Sequence, residues 1–135
     1  MPPETTTGPQ PGISHEQEFT VDGLLVTDVG GTIGVGVLST PGMIAVMEGT
    51  STVLVQPHLP EGSATVGFEV CVKHVSGALQ GSTCTAYATL REVVDGRKLR
   101  FDVEVKEGDR TIGVGTHERR IIHVAQHAEA AGGEA

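Results

Sequence analysis

The second half of the chain alternates apolar and polar residues with a period of two, the mark of strands with one buried face. In "SATVGFEVCVKHVSG" (63–77) the even positions Ala64, Val66, Phe68, Val70, Val72 and His74 share one face, while Thr65, Glu69 and Lys73 take the other. "STCTAYATLREVV" makes the next strand and "DGR" at 95–97 a tight turn. "KLRFDVEVK" then turns Leu99, Phe101, Val103 and Val105 inward and Arg100, Asp102, Glu104 and Lys106 outward. A second turn, "EGDR", leads into "TIGVGTHERRIIHV". Strands in succession with short turns predict an antiparallel meander.

The first half reads differently. "EQEFTV" is one short strand, and "GLLVTDVGGTIGVGVLS" is Gly-rich and poorly periodic, as in a lid or flap. "LSTPGMIAVMEGTSTVLVQPHL" (38–59) has helical spacing at Met43, Val46, Met47, Thr50, Val53 and Leu54. Thr40 is the N-cap candidate, Pro41 takes the first helical position, and Pro57 ends the helix. The order predicts an α+β fold, one long antiparallel sheet wrapped around one central helix.

Between Asp28 and Glu61 the only Asp, Glu, Lys or Arg is Glu48. A surface helix would carry a charged face, so the sheet should cover this one and leave Glu48 in an apolar cleft. Its neighbours one turn away, Ile44, Ala45, Ser51 and Thr52, offer no positive charge. Its pKa should therefore rise unless another part of the chain supplies hydrogen bonds or a cation. Such a carboxylate is a candidate base or nucleophile. His74, at the end of an apolar strand face, is a core histidine or a proton partner for Glu48. Thr40, even as a cap, would sit beside free backbone N–H groups where an oxyanion could be held.

Composition narrows the classes. At 135 residues the chain is one domain: a disordered tail at 1–14, the folded domain at 15–125, and a second tail at 126–135. A net charge of −8 argues against nucleic-acid binding. Cys71 and Cys84 lie in strand runs as small buried hydrophobes. No apolar run is long enough to span a bilayer, so a cytoplasmic protein with no membrane partner is expected. With 3% aromatic residues the core must be aliphatic, and burial of a face against a second copy would help. "GGTIGVG" lacks both the P-loop Lys and the strand–turn–helix context of a dinucleotide site. His15, His58, His117, His123 and His127 form no zinc spacing, so no metal and no cofactor are expected. Arg119 or Arg120 in "GTHERR" could meet a phosphate or carboxylate.

Thr40, "VMEG" around Glu48, "GFEVCVKH" ending in His74, and "IGVGTHERRIIH" together resemble the hot-dog-fold thioesterases, most closely the fluoroacetyl-CoA thioesterase family. The resemblance runs from about Glu16 to Val124. It implies the hot-dog fold, a five-stranded antiparallel sheet around a central helix, and a homodimer with the active site at the subunit interface. It implies hydrolysis of a short-chain acyl-CoA to free acid and CoA. The catalytic positions carried over are Thr40, Glu48 and His74, and the substrate-binding ones Gly67 and Arg119. The family lid is longer and aromatic, whereas "DVGGTIGVGVLS" has no aromatic residue, which leaves the acyl group open. Two other readings are a non-catalytic acyl-CoA or small-ligand binding module and an enoyl-CoA hydratase.

Overall fold

A computed structural model describes residues 8–132. Its strands are β1 (Ser14–Thr20), β2 (Val26–Thr27), β3 (Val37–Leu38), β4 (Ser63–His74), β5 (Thr83–Val94), β6 (Lys98–Glu107) and β7 (Arg110–His123). The helices are α1 (Thr40–Val55) and α2 (Val124–Gly132). The main sheet has five strands in the order β1-β5-β6-β7-β4, and every pair is antiparallel. Thus β5, β6 and β7 form the expected meander, but β4 does not continue it. The chain leaves β4 at His74, crosses through Ala78, whose carbonyl accepts from Leu38 N at 2.8 Å, and enters β5 on the far side. Among the described residues β4 pairs β7 on one side and nothing on its other edge.

Local signals account for the ends of these elements. Asp95 and Gly96, at φ 57° and 65°, are the left-handed pair in the three-residue loop (95–97) that joins β5 to β6. The "lid" segment holds a short ribbon of β2 and β3, with Val26 opposite Leu38 and Thr27 opposite Val37. The segment read as a tail from residue 126 is helical to Gly132, and residues 1–7 and 133–135 of the two predicted tails lie outside the described residues.

The helix α1 buries Met43, Met47, Thr50, Ser51, Leu54 and Val55, recurring at one-turn spacing, and lies chiefly over β5. Beneath it the inner face of the sheet presents Cys84, Ala86, Ala88 and Leu90 from β5 and Leu99, Phe101, Val103 and Val105 from β6. The two alanines keep the sheet low under the helix. Gly113 does the same on β7, where a Cβ would collide with the Met43 side chain. Buried hydroxyls in the helix need partners. Thr50, Ser51 and Thr52 find them one turn back, on the carbonyls of Val46, Met47 and Glu48 at 2.8, 2.9 and 2.9 Å.

The start of α1 corrects the expected cap. Ser39 is the N-cap, its Oγ accepting from Gly42 N at 2.9 Å, and Thr40 is already within the helix. A cap hydroxyl contributes about 1 kcal/mol. Ser39→Ala is therefore expected to lower Tm by about 3–5 °C. Thr40→Ala removes no cap, only one solvent-exposed bond to His74 Nδ1, and should cost about 0.5 kcal/mol, the low end for a single hydrogen bond. Thermal unfolding of the two variants checks the assignment, and the reverse order would restore Thr40 as the cap.

Candidate active site

Because Ser39 does the capping, the Thr40 hydroxyl is free for another partner. It bonds His74 Nδ1 at 2.8 Å, joining the first turn of α1 to the last residue of β4. His74 lies opposite Gly113 on β7, and its other ring nitrogen, Nε2, is buried without a hydrogen-bond partner. Buried polar atoms are rarely left so, which marks this corner as chemically unfinished. The free N–H groups expected at the helix start are mostly spent: Pro41 has none, Gly42 N donates to Ser39 Oγ and Met43 N to the Ser39 carbonyl, which leaves that of Thr40.

Glu48 belongs to a second cluster. It follows Thr40 by eight residues, about 12 Å along the helix axis at 1.5 Å per residue. The carboxylate reaches β4 where the ladder slips: Gly67 pairs Arg119, Glu69 pairs Glu118, and Phe68 is the extra residue of a β-bulge. The bulge overturns the uniform alternation expected for this strand. Thr65 and Gly67 join Val70, Val72 and His74 on the helix side, while Phe68 turns outward beneath Arg120, whose guanidinium carbon lies 3.5 Å from its ring centroid.

At Gly67 the missing side chain makes room for the carboxylate. A Cβ there would stand 2.8 Å from Glu48 Oε2 and 3.5 Å from Arg119 Nη1. Arg119 supplies the cation that the helix lacks, with Nη1 at 3.9 Å from Glu48 Oε2. The guanidinium is itself buried, Nε donating to Thr65 Oγ1 at 2.8 Å and Nη2 to the Thr65 carbonyl at 3.0 Å. Burial pulls its pKa down, with Glu48 opposing the shift. The Glu48 side chain is 40% exposed, so in the single chain it does not lie in a closed cleft.

The five residues named from the sequence thus form two groups, Thr40 with His74, and Glu48 with Gly67 and Arg119. One residue was passed over. His117 is 2% exposed, its Nδ1 2.8 Å from the Glu69 carbonyl and its Nε2 3.2 Å from Arg119 Nη1, with its ring stacked on Phe101 at 5.9 Å. Its spacing of two from Arg119 puts both on one strand face, and that was the available signal. Cys84 is buried as expected, but Cys71 is exposed. A cavity of about 550 Å³ lies by the lid, between Val26, Thr27, Asp28, Val35 and Gln80, and none of the five residues lines it.

Burial also holds the His117 imidazole below its ordinary pKa of 6.5, with a smaller contribution from Arg119. Below about pH 6.5 the unfolded chain binds a proton that the native chain refuses, so stability must fall with pH from there down to the folded pKa. The wild type is expected to lose more Tm than His117→Gln on acidification through that window. Parallel melting curves would show it, and equal losses would place His117 in a less buried site.

The fold and site can now be set beside known proteins. The family model described as fluoroacetyl-CoA-specific thioesterase matches residues 23–125. A fluoroacetyl-CoA thioesterase of Streptantibioticus cattleyicolor is 38% identical over 88 residues, 65% of this chain and 63% of that protein, so the match spans less than two thirds of the relative. A solved structure of a fluoroacetyl-CoA thioesterase superposes with a TM-score of 0.84 at 27% identity, covering 95% of this chain and 98% of the other. A hot-dog-like protein from Thermanaerovibrio acidaminovorans shares the fold, with a TM-score of 0.81 at 18% identity over 90% and 89% of the two chains. With the family model matched across α1 and all the long strands after it, the chain belongs to the fluoroacetyl-CoA-specific thioesterase family and has the hot-dog fold.

Proposed function

We propose that this protein hydrolyses a short-chain acyl-CoA thioester to free acid and CoA, as a homodimer whose active sites lie where two β4 edges meet. The observation that carries the reading is the Glu48 carboxylate, held against Gly67 of β4 beside a buried Arg119 and still 40% exposed, on a strand that pairs only β7 among the described residues. The family's named activity supplies the chemistry.

The dimer resolves the separation of the two groups. Outward from Cys71 the ladder positions of β4 are Val72 and Val70, then Lys73 and Glu69, then His74 and Gly67, because the bulge at Phe68 absorbs one residue. A two-fold axis through Cys71 pairs like with unlike, as an isologous interface requires. Glu69 then faces the partner's Lys73, and Gly67 faces the partner's His74. Each Glu48 comes to the partner's Thr40 and His74, and opposite charges meet on either side of the axis. The same pairing covers a twelve-residue edge on which Phe68 is 58% exposed.

In such a site the Thr40 hydroxyl and the Thr40 N–H orient the thioester carbonyl and hold its developing oxyanion, because Pro41 has no N–H and those of Gly42 and Met43 are taken by Ser39. Glu48 takes a proton from water as the water oxygen attacks and passes it on through His74, or it attacks the carbonyl itself to form a mixed anhydride that water then cleaves to the free acid and the Glu48 carboxylate. When the C–S bond breaks, His74 delivers a proton to the departing CoA sulfur. Gly67 leaves space for the acyl group next to Glu48, and Arg119 holds the carboxylate and the product acid. The lid offers Val29, Ile33 and Val35, each about half exposed, in place of aromatic rings, which suits a small aliphatic acyl group as well as a fluorinated one. We place the protein in the cytoplasm, where acyl-CoA is made and used. Among the described residues no helix is long and apolar enough to cross a membrane.

Thiol release from a panel of short acyl-CoAs tests the activity. Glu48→Gln should lower kcat by at least about 100-fold, the range for loss of an acid–base group. Gly67→Ala should lower it with the fold intact, since the new methyl displaces the carboxylate. Stabilisation by acyl-CoA without turnover in the wild type would mean a binding module instead. Single turnover in oxygen-18 water separates the two roles of Glu48, because label enters its carboxylate only through the anhydride.

A mixing experiment tests the shared site. Chains carrying Glu48→Gln and chains carrying His74→Ala should each be inactive alone. Re-paired in equal amounts they should recover about a quarter of wild-type activity, since half the dimers are mixed and each holds one intact site. No recovery would confine the site to a single chain.

A further inference from the structure

We infer that His117 is a positioning residue, which fixes the Arg119 guanidinium against the Glu48 carboxylate. The inference rests on the reading that Glu48 does the chemistry. A backbone carbonyl can only accept, so the 2.8 Å contact between His117 Nδ1 and the Glu69 oxygen places the ring proton on Nδ1. Nε2 is left with a lone pair, and at 3.2 Å it accepts from Arg119 Nη1. The carbonyl that sets this tautomer belongs to the residue just after the β-bulge.

Arg119 needs this third anchor. Its Nε and Nη2 both go to Thr65, which pins one edge of the planar group and leaves it free to rock about that edge. The opposite corner, Nη1, is the atom nearest Glu48, at 3.9 Å. His117 holds that corner. The histidine is held in turn by Phe101, which is fully buried and stacked on its ring. An imidazolium in this place would set a second positive charge 3.2 Å from the guanidinium. Burial keeps the ring neutral and spares the site that repulsion.

The test uses the full-length protein and kinetics on the acyl-CoA that the wild type turns over best. His117→Phe keeps a ring on Phe101 and removes both nitrogens. It should lower kcat at least about tenfold and leave KM within about twofold, the pattern of a contact that matters in the transition state. His117→Gln, whose amide can both donate and accept, should recover most of the loss. In an Arg119→Lys background His117→Phe should add little, because a residue that acts through another is not additive with it. Full additivity, or an unchanged kcat, overturns the inference. Nitrogen-15 NMR of the wild-type histidines gives a readout independent of turnover, and also serves if the Phe variant does not fold. It should show His117 neutral with its proton on Nδ1 at pH 7, whereas an Nε2–H tautomer or an imidazolium would refute the contact. If the wild type hydrolyses no acyl-CoA and the Nδ1–H tautomer is seen, the thioesterase reading fails while the contact stands.

Discussion

One extra residue in β4 governs the geometry around Glu48. Were Phe68 part of a regular ladder, Thr65 and Gly67 would fall on the outer face and a larger residue would meet the helix in their place. The bulge is clamped from both sides. Inside, the Glu69 carbonyl is bonded by His117. Outside, Arg120 covers the Phe68 ring and donates to Glu118 at 2.7 Å, and Glu118 also accepts from Arg100 at 3.2 Å. Burial pushes the Glu118 carboxyl up, but the two arginines outweigh it and hold the pKa below the ordinary range. A local fault in strand pairing is thus fixed by charge on one face and by a tautomer on the other.

The helix divides its tasks by position. Its first turn meets His74 through Thr40, and its third meets the bulge through Glu48. Between them lies only apolar packing against the sheet, so neither end disturbs the core. Ser39 relieves Thr40 of the capping duty. Thr65 and His117 relieve Glu48 of being the sole partner of Arg119. Thr40 and Arg119 are thus each supported by a neighbour that has no chemistry of its own to perform.

Much of this was legible in the chain, for reasons that differ by element. The strands β5 and β6 and the turn at Asp95 and Gly96 announce themselves by alternation and by turn residues, which are local properties. The helix is legible from its apolar spacing, and Glu48 from its isolation. The bulge was not, because "GFEVCVKH" alternates well enough on paper and only pairing with β7 shows the slip. The cap was misassigned because Ser39 and Thr40 are adjacent hydroxyls, equally fit for the role until tertiary contact with His74 engages one of them. The place of β4 at the sheet edge depends on a long crossover, and His117 on burial by Phe101. Both are non-local facts that no window of sequence contains.

The run Thr50, Ser51 and Thr52 has a consequence beyond packing. Each hydroxyl is turned back on the backbone of its own helix, so these residues present mainly carbon to what surrounds them. A hydropathy scale scores them as polar, and their neighbours meet them as small aliphatic groups. Exchange of near-equal volumes here, Ser51 for alanine or Thr50 for valine, would change the letters of the sequence more than the shape of the interior. The helix in this fold is free to drift in spelling while the shape it presents to the sheet stays constant.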